Sequence, residues 1–229
     1  ANWGAIQRAL APKHRVLAMD LRNHGASPQD PAMGYAAMAE DVAETMAAAG
    51  TFPAAIAGHS MGGKVAMMLA LTRPEAVTHL LVSDMAPVRY PPGLRGYVTA
   101  MQALPLAPGL TRRAADAALA GAVPEPGIRA FLLQNLLFVR DPPAWRIGLD
   151  AIARAMPEIE GFEPPSGARY EGPVLFVAGA RSDYIRPEHR PAIVALFPRA
   201  RFVTIREASH WVHADQPRAF ADTLGAFLG

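Results

Sequence analysis

Ala54-Ala55-Ile56-Ala57-Gly58-His59-Ser60-Met61-Gly62-Gly63-Lys64-Val65-Ala66-Met67-Met68-Leu69-Ala70-Leu71 is the stretch that decides the fold. Its first four residues are short and apolar, as in a buried strand, and Lys64 to Leu71 read as a helix packed on a sheet. Between them, Gly58, Ser60 and Gly62 match G-x-S-x-G, which places a serine on a strained strand-to-helix turn. The two glycines leave room where the backbone crowds and takes unfavourable dihedrals. The turn lifts the Ser60 hydroxyl clear of the sheet and aims the Met61 N–H at the place where an oxyanion forms. A bare motif of this kind is common and its plain alternative is a Gly/Ser turn. The flanking strand and helix separate the two readings here.

Working outward, residues 3–10 read as a short helix and Arg15-Val16-Leu17-Ala18-Met19-Asp20 as a strand. Leu21 to Pro28 has turn chemistry throughout. Tyr35 to Ala49 carries Met38, Val42 and Met46 at helical spacing and is stopped by Gly50. Leu80 to Asp84 is a short apolar strand that ends in an acid, Pro173 to Ala178 and Ala200 to Ile205 are further strands, and a last helix spans 217–227. This alternation predicts a doubly wound, mostly parallel α/β sheet. The rhythm breaks at about Pro87 and resumes after Tyr170. Counted from Pro87 itself, this stretch holds 12 of the 22 prolines and the helical pieces 94–104, 111–120, 125–139 and 143–155, with no strand pattern. We therefore expect a core of residues 1–87 and 171–229, with a helical cap, 88–170, inserted after the strand ending near Asp84.

The 229 residues suffice for a full core in a single α/β domain. Hydrophobic residues make up 51% and charged ones 18%, which excludes a disordered chain. A net charge of +2 with scattered arginines excludes the basic stripe that nucleic-acid binding needs. No apolar run is long enough to span a bilayer. The absence of cysteine excludes a disulfide scaffold, a thiolate zinc site and a cysteine nucleophile. The chain opens on Ala1-Asn2-Trp3-Gly4, which reads as the interior of a domain, so we expect its first strands to lie upstream. A cytoplasmic location is the expectation.

In open parallel sheets ligand sites gather beyond the carboxyl ends of the strands. Ser60, Asp84, Asp183 and His210 all sit there. His210 lies between the last strand and the last helix, where a neutral imidazole can accept the serine proton and return it to a leaving group. The alternative is an exposed loop histidine. His213 reads as a structural or pocket-rim residue; its spacing from His210 resembles a metal pair, but no H-E-x-x-H and no third ligand accompany it, so no metal site is expected. Two acids compete to orient the imidazole. Asp183 occupies the loop where such folds usually supply it, although the usual position after Gly179 is Ser182. Asp84 follows the strand after the nucleophile helix. We favour Asp84, against the plain alternative that either acid is a helix cap or loop carboxylate.

Asp20-Leu21-Arg22-Asn23-His24-Gly25-Ala26-Ser27, Gly58 to Lys64, and Ser209-His210-Trp211-Val212-His213-Ala214 together resemble carboxylesterases of the α/β-hydrolase fold, most closely the small YbfF-type bacterial esterases. The resemblance runs from about residue 2 to the end and is weakest across the cap. It implies that Asp84, in Asp84-Met85-Ala86-Pro87, is the triad acid and that Ser182 supports the histidine as a fourth member. It implies hydrolysis of short to medium acyl esters or thioesters without a cofactor. It also places a second oxyanion donor in a His-Gly loop just before Asn2. Ser209 departs from the pattern, since many relatives have glycine there.

The expected function is thus a serine carboxylesterase acting on a small-molecule ester. Ser60 is the nucleophile, His210 the general base and acid, Asp84 or Asp183 the orienting acid, and Met61 N–H one oxyanion donor. His59 and Trp211, with Phe131, Leu136 and Trp145 of the cap, are candidates for a substrate pocket. For most of the cap residues, which include Leu132, Phe138 and Ile152, simple packing is the plainer reading. Ser60 argues against dehalogenases and epoxide hydrolases, which place a carboxylate at the nucleophile. Acyl-thioester hydrolysis, lactonase activity, carbon–carbon bond hydrolysis and a non-catalytic ligand-binding protein are the alternatives.

Overall fold

Apolar runs of about six residues between helices can satisfy their backbone groups only by pairing side by side, and that pairing builds the sheet. A computed structural model describes residues 3–229. Along the chain come α1 (Gly4–Leu10), α2 (Tyr35–Ala48), β1 (Ala54–His59), α3 (Met61–Thr72) and β2 (Val77–Ser83). Then follow α4 (Arg95–Ala103), α5 (Arg112–Leu119), α6 (Pro126–Leu132), β3 (Leu136–Leu137), β4 (Ala144–Trp145) and α7 (Leu149–Glu160). The chain continues with β5 (Val174–Gly179), α8 (Arg190–Leu196), β6 (Ala200–Ile205), α9 (Val212–Asp215) and α10 (Pro217–Leu228). The chain forms two compact units, Ala1–Met19 with Tyr35–Arg89 and Phe162–Gly229, and Asp20–Gly34 with Tyr90–Gly161.

The first unit holds a parallel sheet in the order β1-β2-β5-β6. Side chains alternate across it. Leu81 of β2, Leu175 and Val177 of β5 and Ile205 of β6 cluster with Ile6, Phe220 and Leu224 from α1 and α10. On the opposite face Phe176 meets Phe197, just after α8, with ring centroids 5.9 Å apart. Gly63 of α3 comes close to Val82 of β2. Helices on both faces make this the doubly wound α/β fold that the sequence predicts. Its parallel register brings the carboxyl ends of all four strands to one edge.

The second unit is helical. Ala100, Leu104, Ala115, Leu119, Val123, Leu133 and Leu136 form its own apolar cluster. Arg95 forks onto the nearly buried Glu160 carboxylate, joining α4 to the end of α7. Its bounds differ from the expected cap in two ways: its main stretch runs Tyr90–Gly161, not 88–170, and it includes Asp20–Gly34. Asn23 explains the second difference. This buried residue has a φ of 63°, which asparagine tolerates, and its side chain bonds both the N–H and the carbonyl of Asp30 at 3.0 and 2.7 Å. Its own carbonyl accepts the N–H of Gly148 at 2.9 Å, so the loop is tied to the start of α7.

Three local expectations are corrected. Arg15–Asp20 forms no strand, because no strand among the described residues lies beside it, and Leu17 stays 42% exposed. The piece 125–139 is helical only to Leu132; Leu133–Asn135 tightens to a 3₁₀ turn and β3 pairs antiparallel with β4. A two-residue ladder is too short to leave a period-two signal. The piece 143–155 becomes a helix only from Leu149, since Gly148 is held against Asn23, where a Cβ would collide with the asparagine side chain.

Candidate active site

Consecutive strands deliver the site residues. Ser60 follows β1, Asp84 follows β2, Ser182 and Asp183 follow β5, and His210 follows β6. Ser60 has a φ of 54° and ψ of −122°, a conformation that L-residues avoid and that the surrounding structure must hold. Its N–H donates to Ser83 O at 3.2 Å, while its carbonyl accepts Gly63 N–H and Lys64 N–H at 2.8 and 3.1 Å. The motif glycines divide in their reasons. A Cβ on Gly58 would strike the Gly62 carbonyl and Gly63 nitrogen, whereas one on Gly62 would meet open space. Crowding therefore explains Gly58 and not Gly62. Gly63 is the tighter second position, with Val82 Cγ1 at 3.1 Å from where its Cβ would be. Met61 opens α3, whose first-turn N–H groups point their positive dipole end beside Ser60.

Asp84 is fully buried, with a φ of 49°. A buried carboxylate is costly unless its oxygens are bonded, and both are. Oδ1 accepts Gly179 N–H at 3.1 Å; Oδ2 accepts His210 Nδ1–H at 2.9 Å and the Ser182 hydroxyl. With its Nδ1 proton committed to Asp84, a neutral His210 presents Nε2 as a bare proton acceptor. Asp183 is exposed, and its main-chain carbonyl accepts the Arg186 guanidinium at 3.1 Å. Of the two competing acids, the one against His210 is Asp84.

The histidine loop is braced by residues that the sequence did not single out. Tyr184 stacks on His210 with centroids 3.9 Å apart and 21° between planes. Asp215 Oδ2 accepts both the N–H and hydroxyl of Ser209 at 2.7 and 2.6 Å. Burial raises the Asp215 pKa, but the Ser209 hydrogen bonds, helped by Arg181 and His213, outweigh it and leave the group below its ordinary value. The serine that replaces the usual glycine at 209 thus has a partner six residues away. The spacing of a hydroxyl and an acid flanking the histidine was the available signal.

His59 and His213 complete the surroundings. His59 Nε2 lies 2.7 Å from His210 O, and burial, then the charges of His210 and His213, lower its pKa to about 3. His213 is only 2% exposed, stacks on Trp3 with centroids 5.0 Å apart, and has neither ring nitrogen bonded to a described residue. Burial first, then His210, lowers its pKa too. Of the structural and pocket-rim readings, its burial and stacking fit the structural one. Trp211 meets the His59 ring at 5.3 Å. The other pocket candidates, Phe131, Leu136 and Trp145, belong to the helical unit. There Leu136 is part of the apolar cluster and Phe138, Leu132 and Trp145 pack against it. Trp145 also lines a groove of about 490 Å³ within that unit, with Leu104, Leu106, Ile147 and Arg154. Among the described residues no group of three or more His, Asp or Glu is arranged to hold a metal ion, and no helix is long and apolar enough to cross a membrane.

The profile of a family described as "Alpha/beta hydrolase family" matches residues 1–223. The chain is 40% identical over 235 residues to a Mus musculus protein named sn-1-specific diacylglycerol lipase ABHD11, covering 99% of this chain and 76% of that one. It is 34% identical over 228 residues to Esterase YbfF of Escherichia coli (strain K12), covering 99% of this chain and 87% of that one. A solved structure of a marine microorganism esterase superposes with a TM-score of 0.94 at 33% identity, over 99% of this chain and 89% of that one.

Proposed function

We propose that this chain, an ester hydrolase that belongs to the alpha/beta hydrolase family, works through a Ser60–His210–Asp84 triad and an acyl-enzyme intermediate. The observation that carries the reading is the bond of His210 Nδ1 to the sealed Asp84 carboxylate at 2.9 Å, beside the strained Ser60 turn. Ser60 Oγ attacks the acyl carbon as His210 Nε2 takes its proton. Met61 N–H supports the oxyanion and Asp84 stabilises the imidazolium. His210 returns the proton to the departing alcohol oxygen. Water, activated by His210, then releases the acid and restores Ser60. Ser182 and Gly179 N–H both donate to Asp84 and hold it oriented towards His210.

The substrates proposed are short to medium acyl esters. A p-nitrophenyl acyl series tests this. The reading expects turnover by the wild-type protein that peaks at short or medium chains and is lost in Ser60→Ala. Equal turnover by Ser60→Ala would overturn it. An acyl-thioester series run in parallel separates a thioesterase from an esterase by the larger kcat/KM.

A further inference from the structure

We propose that His59 is a positioning residue: its Nε2–H, donated to the main-chain carbonyl of His210, ties the turn carrying the nucleophile to the loop carrying the general base. The proposal rests on the Ser60–His210 reading above. The distance is 2.7 Å, and a carbonyl can only accept, so the proton must sit on His59 Nε2. The bond therefore needs Nε2 protonated, which in the neutral ring is one tautomer of two.

The neighbours of His59 keep it in that state. Its ring lies 4.6 Å from the His210 ring, 5.3 Å from Trp211 and 4.7 Å from His213, centroid to centroid. The titratable groups facing it are thus His210 in the loop after β6 and His213 on α9, and both disfavour a charge on it. Burial acts in the same sense, so His59 stays neutral as His210 gains and loses its proton.

The geometry explains why such a tie matters. Asp84 holds the His210 side chain at Nδ1, which alone leaves the main chain of that residue free to shift about the bond. His59 fixes the main chain of the same residue from the other side. His59 and Ser60 are consecutive, so the separation of base and nucleophile is set across one hydrogen bond and one peptide link. A misplacement of about 1 Å in such a pair costs on the order of 10²-fold in rate. The sequence pointed instead to a substrate contact, and the two roles differ in what they predict.

His59→Phe keeps a ring and removes the donor; His59→Gln places an N–H near the position of Nε2. The proposal expects kcat to fall about 10- to 100-fold in His59→Phe with KM nearly unchanged, and His59→Gln to recover most of the loss. Unchanged kcat in a folded His59→Phe overturns it, as does a rise in KM alone, which would mark a substrate contact, or a folded His59→Gln as impaired as the phenylalanine variant. Nitrogen NMR of the wild-type protein near pH 7 provides a second readout, independent of how the variants fold. A His59 ring protonated at Nε2 and bare at Nδ1 is expected, and the opposite tautomer, which cannot donate to the carbonyl, overturns the proposal. Phosphonate labelling of wild-type Ser60 is run alongside. Its failure would strike the triad reading, while the tautomer would still report on the His59 bond.

Discussion

Asp84 Oδ2 accepts both His210 Nδ1–H and the Ser182 hydroxyl, so one buried oxygen collects the ends of three different strands. Asp183, one residue beyond Ser182, is exposed. Asp84→Asn should lower kcat by about 10³–10⁴, because the amide offers an N–H where an acceptor is needed and favours the wrong imidazole tautomer. Asp183→Asn should leave kcat within about twofold, as for a surface change. Steady-state kinetics of the pair decides between the acids, and the reverse ranking would reassign the triad.

Ser182→Ala removes one donor from Asp84 and leaves the Gly179 N–H at 3.1 Å. The carboxylate is then held less firmly against His210, and kcat/KM at neutral pH should fall a few-fold. An unchanged kcat/KM would remove Ser182 from the network.

The motif glycines make a contrasting pair. Gly58→Ala drives a Cβ into the Gly62 carbonyl and should cost several kcal/mol or block folding, whereas Gly62→Ala meets no neighbour and should be tolerated. Urea midpoints and soluble yield measure both. Equal tolerance would mean that the turn relaxes.

Much of this arrangement was legible in the sequence. β1, β2, β5 and β6 could be read because each is a short, largely apolar run bounded by turn residues, although only β2 and β5 are mostly buried. The placement of Ser60 and His210 could be read because each follows the end of a legible strand. The competition between Asp84 and Asp183 could not be settled from spacing, since it depends on how β2 and β5 lie side by side and which carboxylate the register buries. Tyr184 and the His59 bond were invisible for a similar reason: stacking, or a side chain donating to a main-chain carbonyl, leaves no periodic trace. The small β3–β4 ladder and the place of Asn23 were missed because two residues of pairing and one left-handed asparagine are weaker signals than a proline-rich helical pattern.

His59 and His213 also set a pH dependence of stability. Their folded pKa values lie below the ordinary histidine value, His59 at about 3. In the window between about pH 6.5 and 3 the unfolded chain therefore binds more protons, so stability is full above about 6.5 and falls as pH drops. Each histidine contributes a slope of at most about 1.4 kcal/mol per pH unit. His213→Phe keeps the packing against Trp3 and removes two ring nitrogens that no described residue bonds. It should stabilise the protein by about 1 kcal/mol at pH 8 and flatten the acid slope. Urea melts across pH measure both effects. A large loss at pH 8 would assign His213 a polar role instead.

Covalent trapping reports on Ser60 as the nucleophile without relying on any one substrate. The protein, treated with an alkyl phosphonate ester and digested, is mapped by mass spectrometry alongside the loss of esterase activity. One adduct per chain is expected, on Ser60, formed in step with inactivation and strongly slowed in Asp84→Asn. Inactivation with the adduct on another residue, or full esterase activity with Ser60 left unmodified, would contradict that role for Ser60.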